Sequence, residues 1–366
     1  MKQNSVENNN LILVTYGNAT DPKVWSRTPS ILWNLFSEKG YALSNINLKK
    51  AEGYFIRSLY KMLVKISVVH TTRMPFLYSL YSYILNKLIK KNKPQKILFI
   101  AEHCLNKKSS KNYDYYLYLD SLMRPLFDAD NDYNLIRKST LPLYEKNDIE
   151  SLKQMKKIFT QNDWSREYLI NNYGINSDII KNVRFGINVT PLKEEKNYNN
   201  NLLLIVLREG TEYRKGLYLL LDAFKIISKQ IENVKLAVVG VQGKPIKGVT
   251  YYYNTPRETT IKLFKECTLY TMPAIKEPNG ITYLEALANK APIVGLNRFS
   301  VPEFSGYGKW GFIANSPTAE CVAQTIINAL SDKKRLASMG KLGQKFVMEN
   351  YVWEKTSEII LEEIKQ

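Results

Sequence analysis

Residues 269–295 read LYTMPAIKEPNGITYLEALANKAPIVG. The run 269–272 is short and apolar and stops at Pro273; residues 281–289 carry apolar side chains at helical spacing; 292–295 is a second apolar run. Strand, loop, helix and strand in that order make a βαβ unit of a parallel sheet. The connecting loop carries Glu277-Pro278-Asn279-Gly280. Gly280 removes the Cβ where a ligand must approach the backbone closely. The first amides of the following helix, around Gly280, Ile281 and Thr282, lack intrahelical partners and point toward an anion. Glu277 in the loop and Glu285 a turn inside the helix flank that place. A carboxylate accepts two hydroxyls at once, so the pair suits a sugar and a ribose on either side of a diphosphate. On spacing alone the same residues also read as a loop charge and an ordinary surface glutamate.

The same rhythm runs outward in both directions. Toward the N-terminus, 11–16, 96–101, 115–119 and 157–160 read as strands, and 30–39 and 163–173 as helices, with Pro29 and Gly40 bounding the first. Residues 191–201 are polar and almost free of apolar side chains, a linker composition. Beyond them come strands at 202–207, 235–239, 269–272 and 292–295, alternating with helices at 217–230, 259–266 and 281–289. Three helical stretches follow, 321–330, 333–350 and 353–364. The expected architecture is α/β, with two Rossmann-like domains facing across a cleft at the carboxyl ends of their strands. The division is a first domain over 1–190, a linker over 191–201, a second domain over 202–350 and a terminal helix over 351–366.

Composition removes other classes. The 366 residues are 45% hydrophobic and 23% charged, as in a globular protein rather than a disordered one. No apolar run reaches the ~18 residues of a spanning helix. The polar first ten residues contain no apolar core of a signal peptide. Three scattered cysteines and two histidines exclude a disulfide framework and a His-rich metal site, and favour a reducing compartment such as the cytoplasm. The net charge is +18, with 28 basic and 16 acidic residues up to position 190 against 24 and 18 after it. Residues 49–96 hold eleven basic residues and one acid, interleaved with Tyr54, Phe55, Tyr60, Phe76, Tyr78, Tyr81 and Tyr83. That mixture suits peripheral contact with an anionic membrane, and equally helices with aromatic core faces. A basic nucleic-acid-binding protein is the competing class, though it leaves the Glu277/Glu285 loop without a purpose.

The segment Glu277-Pro-Asn-Gly-x-x-x-x-Glu285, between a strand and Ala286-Leu287-Ala288-x-x-x-Pro292-Ile293-Val294, resembles the E-x7-E signature of the family 4 glycosyltransferases. Arg208 with Lys215-Gly216 resembles that family's phosphate site, Val301-Pro302-Glu303 its Val-Pro-Glu block, and Tyr351-Val352-Trp353-Glu354 the start of its terminal helix. Trp25-Ser26-Arg27-Thr28-Pro29 is similar to the SGTP block of a subset, and 161–188 to its SEW…YG…PFGxN blocks. The resemblance implies the GT-B fold and a retaining transfer from a nucleotide-diphosphate sugar to an acceptor hydroxyl on a lipid-linked, polysaccharide or glycoprotein glycan, with no cofactor and no metal. Glu277 would hold donor-sugar hydroxyls and Glu285 the ribose. Amides at Asn279, Gly280 and Ile281, with Thr282 beside them, would meet the sugar and diphosphate. Arg208 and Lys215 would neutralise the leaving diphosphate, and the terminal helix would cross back to the first domain.

Two departures from that pattern leave alternatives open. Arg208 and Lys215 are seven residues apart, a lengthened step in which Arg214 can substitute. The first-domain histidine of many members is replaced by Asp120 after the strand 115–119, with His103 as the alternative. Gly17 and Arg27 are expected on loops near the cleft. Asp128-Ala129-Asp130-Asn131-Asp132 has Asp-x-Asp spacing but fails the EF-hand pattern and reads as a solvated acidic loop. Residues 239–245 match neither a P-loop nor GxGxxG, and no GxSxG occurs.

Overall fold

The computed structural model describes residues 10–51, 75–92, 96–101, 103–106, 109, 111–128 and 141–366. The chain divides into two compact units, Met1–Arg184 with Trp353–Gln366, and Phe185–Val352. Each is built on a parallel six-stranded sheet, so the α/β fold of two doubly wound units read from the sequence is present.

In the first unit the strands are β1 (Asn10–Thr15), β2 (Ala42–Asn47), β3 (Lys96–Ile100), β4 (Asp114–Tyr118), β5 (Lys157–Thr160) and β6 (Ile180–Asn182), in the order β2-β1-β3-β4-β5-β6. Inner strands of such a sheet are covered on both faces and must be apolar throughout. Leu11, Leu13, Val14, Ile97, Leu98 and Phe99 are accordingly buried. The helix Pro75–Asn92 buries Tyr78, Tyr81, Leu85 and Ile89 at helical spacing, while Tyr83 is exposed. Two of the aromatics suggested for a membrane surface therefore belong to the core; 52–74 and 93–95, with Tyr54, Phe55 and Tyr60 among them, lie outside the described residues. No helix among the described residues is long and apolar enough to cross a membrane. The helix Trp353–Lys365 returns to this unit. It pairs Glu358 with Lys39 at 2.9 Å and Glu363 with Lys157 at 2.9 Å, and the Thr356 hydroxyl donates to the Val183 carbonyl.

The second unit contains β7 (Leu202–Val206), β8 (Lys235–Val239), β9 (Val249–Tyr252), β10 (Leu269–Thr271), β11 (Ile293–Leu296) and β12 (Gly311–Ala314), ordered β12-β11-β10-β7-β8-β9. Renumbered within the unit, this is the 3-2-1-4-5-6 order whose switch point lies between its first and fourth strands, here β7 and β10. The stretch 191–201, expected as a linker, is fastened along this unit. The Leu192 amide donates to the Ala288 carbonyl, and Tyr198 Oη to the Lys290 carbonyl at 2.7 Å. Lys196 Nζ donates to the carbonyls of Phe264 and Lys265 at the end of the helix Arg257–Glu266. A cation there satisfies carbonyls that the helix leaves open.

Gly340, in the middle of the helix Lys333–Asn350, faces this anchor: a Cβ there would overlap Tyr198 Oη and the Lys290 carbonyl oxygen. Helix propensity favours alanine over glycine by ~1 kcal/mol, whereas overpacking against fixed backbone costs about 1–3 kcal/mol. Packing wins, so Gly340→Ala is expected to lower the thermal midpoint, read by circular dichroism. A raised midpoint would show that the segment yields.

Candidate functional site

The chain leaves β7 at Leu207-Arg208 and β10 at Met272-Pro273, so the loops on either side of the switch point belong to the residues singled out above. The lengthened loop after β7 is a wound turn. Thr211 Oγ1 accepts from the Arg208 amide at 3.1 Å and donates to the Arg208 carbonyl, and the Lys215 amide donates to the Thr211 carbonyl at 2.8 Å. Gly216 ends it with φ +76° and lies so close to Pro273 that a Cβ would overlap that carbonyl oxygen. The turn is stitched to the loop after β10: the amides of Ile275 and Lys276 donate to the Arg214 carbonyl, and Arg214 Nη1 donates to the Lys276 carbonyl at 2.9 Å.

This winding carries two cations to one carboxylate. Glu277 Oε2 lies 3.1 Å from Arg214 Nη1 and 3.4 Å from Lys215 Nζ, and Glu277 Oε1 accepts from the Gly280 amide at 3.2 Å. Burial by itself would raise the carboxyl. Lys215, Arg214 and the Gly280 amide outweigh burial and hold it below the usual carboxylate range. Both candidate cations thus reach the site, whereas Arg208 stands exposed with no ion-pair partner among the described residues. Neither Lys215 nor Arg208 pairs with Glu209 or Glu212.

Gly280 caps the helix Ile281–Ala288 with φ +41°, and a Cβ would overlap the Tyr283 ring. Tyr283 is fully buried, stacks edge-on against Tyr270 with centroids 5.7 Å apart, and donates to the Met272 carbonyl. The expected row of open amides is partly used: the Gly280 N–H is taken by Glu277. Thr282 turns its hydroxyl inward, accepting from Tyr270 Oη at 2.7 Å. Asn279 is buried and Ile281 half-buried.

One turn further on, Glu285 has a side chain only 13% exposed, with Arg257 Nη2 at 3.9 Å from its Oε1. Burial pushes this carboxyl up to about 7, against the smaller opposing influence of Arg257 and Lys215. Two glutamates eight residues apart are therefore displaced in opposite directions. The sequence reading missed Arg257. Its only local mark is its place after Pro256 at the start of a helix.

In the first unit Asp120 follows β4 and accepts from Trp25 Nε1 at 3.3 Å; Trp25 also lies edge-on to Tyr118. Trp25, Ser26 and Arg27 have φ of 42°, 55° and 71° in succession. Each left-handed residue costs roughly 1–2 kcal/mol, so tertiary contacts must hold the loop. The Asp120 bond is one of them, and locally the Ser30 hydroxyl donates to the Arg27 carbonyl at 2.9 Å. Gly17 lies at the start of the same loop, its carbonyl bonded by Thr15 Oγ1. His103 is turned away: 1% exposed, it reaches Ser151 Oγ at 2.9 Å and Asp148 at 3.9 Å. Asp128 pairs with Arg124, and 129–132 lie outside the described residues.

Residues 190–346 match the family model of the glycosyl transferases group 1. That stretch falls within the second unit. Two curated relatives are a GDP-mannose-dependent alpha-(1-6)-phosphatidylinositol monomannoside mannosyltransferase of Mycolicibacterium smegmatis and a capsular polysaccharide biosynthesis glycosyltransferase of Staphylococcus aureus. The first is 25% identical over 38% of this chain and 42% of its own, the second 27% over 59% and 58%. The chain thus spans about half the length of the curated relatives it matches. Among solved structures, a glycosyltransferase from Rickettsia africae shares the fold over 97% of both chains, with a TM-score of 0.65 at 18% identity.

The raised Glu285 carboxyl makes stability pH-dependent. The folded state holds this proton more tightly than the unfolded chain, so the contribution is complete below about 4.5 and is lost as pH rises through about 7. Glu285→Gln is expected to flatten that decline and to gain roughly 3–4 kcal/mol above neutrality, at ~1.4 kcal/mol per pKa unit. Urea unfolding at several pH values checks it; an unchanged slope would contradict the burial argument.

Proposed function

We propose that this protein is a retaining, metal-independent glycosyltransferase that moves a sugar from a nucleotide-diphosphate donor to an acceptor hydroxyl. The observation that carries the reading is Glu277, an ionised, little-exposed carboxylate held by Arg214 and Lys215 beside a helix N-terminus at the β7/β10 switch point, with the equally little-exposed Glu285 eight residues on. Glu277 accepts hydroxyls of the donor sugar and Glu285 those of the ribose. Lys215, Arg214 and Arg208 face the diphosphate, where fixed cations stabilise the charge that develops as it leaves. The bond from the anomeric carbon to the diphosphate oxygen breaks, and a bond to the acceptor oxygen forms on the same face. The departing diphosphate oxygen takes the acceptor's proton. Positive side chains and helix amides supply the stabilisation that a divalent cation gives elsewhere. Asp120 orients a sugar or acceptor hydroxyl.

The names of the curated relatives support a lipid-linked or polysaccharide acceptor. The basic 49–96 stretch supports peripheral contact of the first unit with an anionic membrane, and the unbridged Cys104, Cys267 and Cys321 support a cytoplasmic setting. Flotation with anionic liposomes at low salt tests the membrane contact; absence of co-flotation removes it.

The central test is a thermal-shift panel of nucleotide diphosphates and nucleotide sugars without metal. A ligand bound only by the folded state adds ~2.7 kcal/mol at a hundredfold excess over Kd. One nucleotide is expected to raise the midpoint, and Glu285→Ala to abolish that shift. No shift with any nucleotide, together with a shift on adding DNA or RNA, would favour the nucleic-acid reading.

A further inference from the structure

Arg257 opens the helix Arg257–Glu266 on a loop that neither the E-x7-E spacing nor the phosphate-site residues include. Its Nη2 donates to the Asn188 carbonyl at 2.5 Å and lies 3.9 Å from Glu285 Oε1. One guanidinium therefore spans the main chain, four residues beyond the boundary at Arg184, and a carboxylate of the candidate site. The groups facing Glu285 are Arg257 from its helix, Lys215 from the turn after β7, and Tyr270 from β10, whose buried hydroxyl stays neutral. Lys215 is also engaged by Glu277 at 3.4 Å, so Arg257 is the ion-pair partner of Glu285 among the described residues.

The geometry of this pair matters. A bidentate arginine would occupy the carboxylate lone pairs that hydroxyls need. At 3.9 Å, from one nitrogen already bonded to a carbonyl, Arg257 lends charge and leaves those lone pairs open. Such a contact is useful only where ionisation is otherwise opposed, as it is for a carboxylate 13% exposed.

We propose that Arg257 is a positioning residue of the nucleotide site: anchored on Asn188, it lends charge to Glu285 and holds it in place to accept two ribose hydroxyls. This rests on the function proposed above. Among the influences on Glu285, Arg257 is the largest that opposes burial, with Lys215 next.

The test is calorimetric titration with UDP, GDP and ADP between about pH 6 and about pH 9, on wild type, Arg257→Ala and Arg257→Lys. Arg257→Ala is expected to weaken nucleotide binding roughly fivefold at neutrality and about tenfold near pH 6, the change in ionised fraction that a rise of about one pKa unit produces. The loss should fade at the alkaline end, where the carboxylate ionises unaided. Arg257→Lys, which keeps the charge, should restore most of the affinity. A second readout needs no nucleotide: the inflection of thermal midpoint against pH should move upward by about one unit in Arg257→Ala. Glu285→Gln should remove that inflection in both backgrounds. If nucleotides bind and Arg257→Ala moves neither profile, the proposal is overturned. An equal loss at every pH, without rescue by lysine, also overturns it by making Arg257 a direct ligand contact. Failure of wild type to bind any nucleotide, with the inflection still moving, overturns the donor reading and the ribose role while leaving the ion pair intact.

Discussion

A carboxylate buried at the end of a β-strand is stable only where positive charge converges on it, and at Glu277 an arginine, a lysine and a helix amide do so together. The surrounding geometry follows from that requirement. Arg214 and Lys215 reach Glu277 because the turn after β7 is wound on Thr211 and closed at Gly216, where the chain passes Pro273 without room for a side chain. The Gly280 amide reaches it because Gly280 adopts a left-handed backbone above the Tyr283 ring. The parallel sheet brings the two loops together by placing β7 beside β10. Loss of any of these would leave either a buried negative charge or two crowded cations.

The second carboxylate shows what the same burial does with less compensation. Glu285 is as little exposed as Glu277, yet its nearest cation is farther by 0.8 Å, at 3.9 Å against 3.1 Å, while Glu277 also has Lys215 and the Gly280 amide within reach. It consequently titrates near neutrality while Glu277 stays ionised. A permanently charged acceptor and a responsive one, eight residues apart, give the site two different hydroxyl-binding groups from one residue type. In the first unit a tertiary contact again sustains an unfavourable local state: the Trp25–Asp120 hydrogen bond helps to hold three successive left-handed residues at the carboxyl end of that sheet.

Legibility followed burial. The eight inner strands, β1, β3, β4, β5, β7, β8, β10 and β11, are apolar because helices cover both faces, and each appears as an apolar run in the sequence. The four edge strands, β2, β6, β9 and β12, escaped it. Three of them, ALSNIN, IKN and VTYY, mix polar and apolar residues because an edge is only partly covered, and GFIA is a four-residue run with its two central residues half-buried. The polar stretch 191–201 reads as a linker for a similar reason: its anchors are a lysine and a tyrosine bonded to carbonyls, which composition counts as solvent-loving.

By itself the sequence determined the α/β class, the alternation of elements, and the placing of Glu277, Gly280 and Glu285 on one strand–loop–helix unit. These are properties of periodicity and of residues close together along the chain. Only the tertiary structure decided which cations serve which carboxylate. Arg214 and Lys215 meet Glu277 across 63 and 62 residues, and Arg257 bridges Asn188 to Glu285. Coulomb energy depends on distance in space and on exclusion of water, and neither is written in sequence separation.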